Sequence, residues 1–527
     1  MRRRDLLKGA LVGAGGLILG GSGLASAHHR PWHTGGKPSP SASPSPSPIP
    51  SPSPSPSPSP TASPTVPSCY CVPRTIDPTG DTDVTSALQS WINSIPDGTE
   101  GNPNVLLFDP SATYLTQTEL LLSNRKNLVL DGDGCHFVRT FFPFTHTSIT
   151  IALASATAVG TTATFTAVST LQPIDTFANI KITGCTPSQY NGTWAVIEVV
   201  NDTTVKAVLA SDPGGPATVV GDIQRMTMTN HHIRVTDDGT QANPSENIIL
   251  RNFTIDGPNN EIGGDGHSPN LADYEFQFGL FIQGLVGGGI ENVTVNRVGG
   301  DGICTQARNP DAGVFLPCQN IHIKDSKSFW TGRQGFTLYG LDGSNLVSKC
   351  TIQDAARSAI DHEPPGSETG HAYVKVTVED LTILDHYGGD TIVAAQGGGG
   401  LNWGPIVYRR VTATSGGKAD QFFKGINNNA NKRGPVTIED VNFVGVGAAG
   451  GGGTWSIFHF GGTGWKDVLI RNNTCELTQV AQDVGGLKLE NCNNVTAYGN
   501  TFTNVYNYGG SPSWYGDGGG NTNISVS

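Results

Sequence analysis

Asp361 and Glu363, two carboxylates two residues apart in the run Ile360-Asp-His-Glu-Pro-Pro, are the pair in this 527-residue chain whose types and spacing could do acid–base chemistry. On a strand, residues two apart share a face and sit about 6 to 7 Å from one another. That distance falls between the carboxyl separations of retaining and inverting glycoside cleavage, so the stereochemical outcome stays open. Two such carboxylates repel, which raises one pKa and places a proton donor beside a base. A solvated pair or a pair of calcium ligands is the alternative for the same residues.

Other functional side chains cluster nearby in sequence. Arg333 in Gly-Arg-Gln-Gly and Arg357 in Ala-Arg-Ser-Ala each stand three residues before an apolar residue, Phe336 and Ile360. If those apolar residues stack, the two arginines stack as well, about 5 Å apart. Like charges so placed need an anion between them, either the carboxylates or an acidic sugar. Arg297, Trp330, Asp354 and His386 lie six residues before successive apolar markers and would form a wall with an aromatic platform. Asp301 and Asp390 share a turn position two before the marker, where turn capping competes with metal binding. Asp265, His267, Asp273 and Glu275 form an acidic loop that would overhang the same region. Lys424 follows Phe422-Phe423, and a one-residue register slip there would turn it outward, where it could act as a base.

What positions these residues is a repeat. A short phrase with apolar residues on alternate positions begins at Asn247, Asn292, Asn320, Asn345, Lys375, Pro405, Pro435, Asp467 and Asn494, and after the first interval of 45 the spacing is 25 to 32 residues. Alternation of period two makes each phrase a strand with one buried face. The period is that of a solenoid whose coils each hold about three short strands. It is too short for propeller blades. The expected fold is all-β: a parallel β-helix of about 9 to 11 coils, with the segment starting at Asp83-Val-Thr-Ser-Ala-Leu as a capping helix. Taking Leu280, Ile303, Phe336, Ile360, Ile392 and Phe422 as the first inward residues of one strand per coil gives an outward ladder. It carries Gln306, Tyr339, Asp361 and Glu363. Asp361 and Glu363 are then the catalytic candidates with Arg357, and Arg333, Tyr339, Gln306, His362, Trp330 and His386 the substrate contacts.

Ile76-Asp-Pro-Thr-Gly-Asp-Thr-Asp-Val-Thr-Ser-Ala-Leu-Gln, the Leu-Phe-Asp-Pro run and Leu128-Val-Leu-Asp-Gly-Asp-Gly resemble the entry region of the pectate-lyase-like superfamily of right-handed parallel β-helices. The resemblance spans about residues 72 to 510, apart from one insertion. It implies a right-handed solenoid and leaves the reaction open, since that superfamily holds lyases, hydrolases, epimerases, tailspikes and adhesins. The hydrolytic reading needs no cofactor; a lyase or C5-epimerase acting on a uronic-acid polymer would use calcium or arginine to neutralise the carboxylate, with Arg357 or Lys424 as base. A non-catalytic rod that binds wall polysaccharide is the reading from a different class.

Composition agrees. Only 14% of residues are charged against roughly 25% in ordinary soluble domains, and 69 are Gly, as expected of many corners and little helix. A net charge of −12 leaves no basic surface for nucleic acid. Residues 1–27 read as a twin-arginine export signal, with Arg3-Arg4-Asp5-Leu6-Leu7-Lys8 ahead of a weakly apolar, Gly-rich stretch too short to span a membrane. Residues 28–68 are a Ser/Pro-rich tether able to hold the protein at a cell wall. Residues 69–146 carry the cap and first coils, 147–226 a small inserted β-barrel or sandwich, and 227–527 the main solenoid. The chain is thus expected to be secreted or cell-surface, with a polysaccharide as its partner. Nine cysteines without a CxxC pair argue against a zinc ribbon, and Cys304 with Cys318 has the spacing of a loop disulfide.

Overall fold

The computed structural model describes residues 68–140, 146–171, 179–227, 231–236, 244–263, 266–270, 274, 276–311, 314–362, 373–387, 390–394, 402–416, 421–427, 434–447, 455–462, 465–479, 484–509 and 512–527. The export segment, most of the tether and Glu363 lie outside them, as do Asp265, Asp273 and Glu275.

Each coil opens with a strand that bends at one left-handed residue and runs on as a second strand. Glu246–Asp256 bends at Asn252 and Val286–Asn296 at Asn292, with φ of 59° and 51°. Short polar side chains tolerate this conformation, and Asp325, Asp380, Asp440 and Asn472 take it in later coils. A longer connection leads to a third strand such as Leu280–Gln283. The strands of successive coils pair in parallel, so like residues stack. Leu250 lies on Ile290, Ile290 on Ile323, Ile323 on Val347 and Val347 on Val378, all of them buried. First and second strands form a 24-stranded sheet and third strands an 11-stranded sheet around one apolar column. The fold is an all-β parallel β-helix.

Helix Thr85–Ser94 plugs the first coil. Leu88, Trp91 and Ile92 are buried, and Trp91 meets Phe108 edge-on at 5.1 Å between centroids. Among the described residues no helix is long and apolar enough to cross a membrane. The insertion is a closed six-stranded barrel, from His146–Val159 to Asp222–Thr227, rather than a sandwich. It has its own core around Phe165, Tyr190, Val196 and Ile223, which Tyr274 of the solenoid joins.

None of the nine cysteines is cross-linked. The anticipated Cys304–Cys318 disulfide is not formed, because the two face opposite sides of the solenoid wall. Cys304 packs outside with Phe278 and Phe281. Cys318 lies in the central column, where its thiol donates to the carbonyls of Ile282 and Gln306.

Candidate functional site

Along the 11-stranded sheet, Leu280, Ile303, Phe336, Ile360 and Ile392 pair in register and are all fully buried. The following residues face outward, as the alternation requires: Phe281, Cys304, Thr337, Asp361 and Val393. At the next coil the chain departs from the sequence alignment. Ile392 pairs with Phe423, not Phe422, so Lys424 stands outward beside Val393, followed by His459 and Lys488. Two adjacent phenylalanines are equally suited to the inward slot, and the length of the preceding connection decides between them.

Asp361 is only 7% exposed, and its Oδ2 accepts from Gln334 Nε2 at 2.7 Å. Gln334 is held in turn. Its Oε1 accepts from the Ser358 N–H at 2.9 Å, and its own N–H donates to Asp301 Oδ1 at 3.2 Å. Asp301 is fully buried and also accepts from Arg333 Nη1 at 3.2 Å and from Thr337 Oγ1 at 2.6 Å. A turn residue thus ties three groups of the next coil and, through Gln334, positions Asp361.

Backbone pairing places the two arginines as expected, with the Arg357 N–H donating to the Arg333 carbonyl at 2.8 Å. Their side chains part company. Arg333 turns in to Asp301, a partner the alignment had treated as a cap, while Arg357 is exposed. No anion is needed between them. Gln306 accepts from Gln283 Nε2 at 2.9 Å on the same outer face, and half-buried Tyr339 packs on the Phe278–Phe281–Cys304 patch. The ring of His231 stacks on Phe278 there, with centroids 4.9 Å apart.

Three expected substrate contacts lie elsewhere. His362 points into the solenoid, fully buried, with its ring nitrogens at Leu338 O (2.9 Å) and the Tyr408 hydroxyl (2.5 Å). His386 is also inside, 1% exposed: Leu384 pairs with Gln353, so Asp385 takes the place expected for it, and the connection on to Ile392 is one residue longer than that from Asp354 to Ile360. Trp330 borders a pocket on the 24-stranded sheet. His267 is drawn to Asp354 at 3.1 Å and stacks on Tyr387 at 4.1 Å.

Beyond Val393 a second charged group appears that the sequence alignment did not assemble. Lys424 Nζ lies 2.7 Å from Asp390 Oδ2. Burial pushes the Asp390 carboxyl up and Lys424 pulls it back. His459 is driven down to about 4, chiefly by burial, against the pull of Glu490 at 3.8 Å. Among the described residues, which do not include Glu363, no three His, Cys, Asp or Glu side chains converge as metal ligands.

The buried imidazoles set the acid response of the fold. His362, like His459, is held at about 4 by burial, and His231 and His232 are well below the usual 6.5 for the same cause. Unfolded, each takes a proton near 6.5. Between about 6.5 and 4 the unfolded chain therefore binds more protons, and stability falls as pH drops. His362 alone contributes about 3 kcal/mol of that loss. Asp390 and Glu119, raised by burial, act in the opposite direction. Urea midpoints should fall steadily from pH 7 to pH 4; a flat profile would contradict the burial of these rings.

No protein-family model matches the chain, and no curated protein matches it. Solved structures do. A Family 28 exopolygalacturonase of Yersinia enterocolitica is 13% identical, with a TM-score of 0.44 over 87% of this chain and 78% of that one. The tailspike protein of E. coli bacteriophage HK620, in complex with a pentasaccharide, is 11% identical with a TM-score of 0.46 over 86% of this chain and 62% of its own. PfbA, a surface adhesin of Streptococcus pneumoniae, is 12% identical with a TM-score of 0.42 over 87% and 93%. At these scores the likeness carries no statement of activity for this chain.

Proposed function

We propose that the protein is an exported enzyme that cleaves a polysaccharide along the outer face of the 11-stranded sheet, by glycoside hydrolysis. The observation that supports this is the concentration of largely buried charged groups along the 11-stranded sheet, Asp361 and Lys424 on its outer face and Asp301, Arg333 and Asp390 in the turns that lead into its strands. Burying charge is costly, and the apolar column already holds the coils together. Such groups in a low-charge chain are candidates for function. Asp361, oriented by Gln334, serves with Glu363 as the acid and the nucleophile or base. Exposed Arg357 and the row of Gln306 and Tyr339 hold the sugar chain. The twin-arginine motif and Ser/Pro tether read from the sequence support an activity at the cell surface or outside it.

A second reading is favoured by the register at Phe423. Lys424 faces outward, where it could abstract the C5 proton of a uronate, giving a lyase or an epimerase, with Arg357 neutralising the carboxylate. The assay that separates the readings incubates the protein with neutral and uronic polysaccharides, with and without calcium. Hydrolysis yields reducing ends without near-ultraviolet absorbance. Elimination yields an absorbing double bond, and epimerisation changes the uronate composition without cleavage. Retention on a polysaccharide with no product of any kind would reject catalysis in favour of a binding rod.

A further inference from the structure

We infer that the chain carries a separate binding pocket for a neutral sugar, away from the catalytic face, between the 258–263 loop and the edge of the 24-stranded sheet. The pocket is a cavity of about 370 Å³, and the 11-stranded sheet contributes nothing to its lining. That volume is at the small end of ligand sites. It suits one or two sugar rings.

The repeat explains how the pocket is built. Asn296, Phe329 and Gln353 are in register on consecutive coils, so their side chains form one outward row at the ordinary strand spacing. The residue after each is left-handed: Arg297, Trp330 and Asp354, with φ of 57°, 54° and 54°. For a bulky Trp this conformation is uncommon. Here it is tied down, because the indole N–H donates to Glu261 O at 3.3 Å. Arg297 Nη1 likewise donates to Asn260 Oδ1 at 2.8 Å, and the two bonds pin the loop over the row. Ile262, 71% exposed, hangs at the rim.

The lining has two kinds of surface. Phe329 and Trp330, both only half-buried, offer ring faces suited to the C–H faces of a pyranose. Around them stand the amides of Asn296 and Gln353 and the carboxylate of Asp354, which hydroxyl groups can bond. The Asn296 amide is oriented, since its Nδ2 donates to Asp256 Oδ1 at 3.0 Å. Asp354 is anchored by His267 at 3.1 Å and the Ser268 N–H at 3.3 Å. One cation and one anion line the pocket, so a polyanion finds no excess of positive charge. A purely apolar ligand would strip water from Asn296, Gln353 and Asp354 and offer no polar group in its place. A neutral polyol ring matches both surfaces.

The inference is independent of whether Asp361 cleaves anything. Its test is isothermal titration calorimetry of the full-length protein with glucose, galactose, their β-linked disaccharides and galacturonate, with glycerol as the control. The expected result is a saturable binding heat with a millimolar Kd for at least one neutral sugar, weakened at least about 10-fold in Trp330→Asn and in Asn296→Ala, and unchanged in Asp361→Asn. Asn accepts the left-handed turn, and Asn296→Ala leaves the turn untouched, so loss of binding in both reports the pocket rather than the fold. Wild-type affinity in both variants would overturn the assignment. So would saturable binding of galacturonate alone, or no saturable binding of any sugar beyond that of glycerol.

Discussion

Replacing Asp361 with Asn is expected to lower kcat on the polysaccharide substrate by about 10³-fold, with KM changed little and thermal stability almost unmoved. The size follows from the role. A positioned acid, base or nucleophile contributes about 10² to 10⁴-fold, and 10³-fold corresponds to about 4 kcal/mol of transition-state stabilisation. The unchanged stability follows from the contact. Gln334 Nε2 donates to Asp361 Oδ2 at 2.7 Å, and the carbonyl oxygen of Asn has the same shape and still accepts. Asp361→Ala differs, because it strands the buried Gln334 amide and should cost about 1 to 3 kcal/mol. The pair of variants therefore separates chemistry from packing. Wild-type kcat in Asp361→Asn, with circular dichroism and melting unaltered, would remove Asp361 from the mechanism. The lyase reading makes a different forecast, with Lys424→Met rather than Asp361→Asn abolishing turnover.

The coil-level architecture was readable because it depends only on local alternation. Leu280, Ile303, Phe336, Ile360 and Ile392 occupy the inward slots that period two assigns them. Alternation fails where connections vary. It could not choose between Phe422 and Phe423, since either fills the slot, and it could not foresee the extra residue before Ile392 that leaves His386 in the interior. It is silent on a different matter as well. The alternation says which side of the wall a strand residue faces, yet not what a turn residue reaches. Asp301 finds Arg333 and Thr337 at separations of 32 and 36 residues. The available signal was positional, because Asp301 and Gln334 stand two before the markers Ile303 and Phe336, which stack. That placement puts the Asp301 carboxylate within reach of the next coil. The αL corners show the same division. Asn252 and Asn292 are residue types that suit a left-handed turn, whereas Trp330 is not, and it takes one because it shares a corner with Arg297 and Asp354 of the neighbouring coils.

The second large effect concerns the cluster behind Asp361. Arg333→Met should destabilise the protein by about 3 to 5 kcal/mol, because it leaves the fully buried Asp301 carboxylate without its cation. Asp301→Asn in the same chain removes the stranded charge and should recover part of that loss. In a double-mutant cycle measured by urea unfolding, the coupling between the two sites is expected at about 1 to 3 kcal/mol. Additive effects would mean that the 3.2 Å pair is not an energetic unit. Kinetics divide the same variant in another way. If Arg333 bound substrate, its loss would raise KM. Placed instead behind Asp301, whose Oδ1 accepts from the Gln334 N–H while the Gln334 side chain orients Asp361, it should lower kcat at a temperature where the variant remains folded, with KM nearly constant. Arg357→Met supplies the contrast. Its side chain is exposed and its backbone bond to Arg333 survives substitution, so it should raise KM with little change in stability. Two arginines stacked through their backbones thus separate into a positioning role and a binding role, and a rise in KM for Arg333→Met equal to that for Arg357→Met would return both to the substrate.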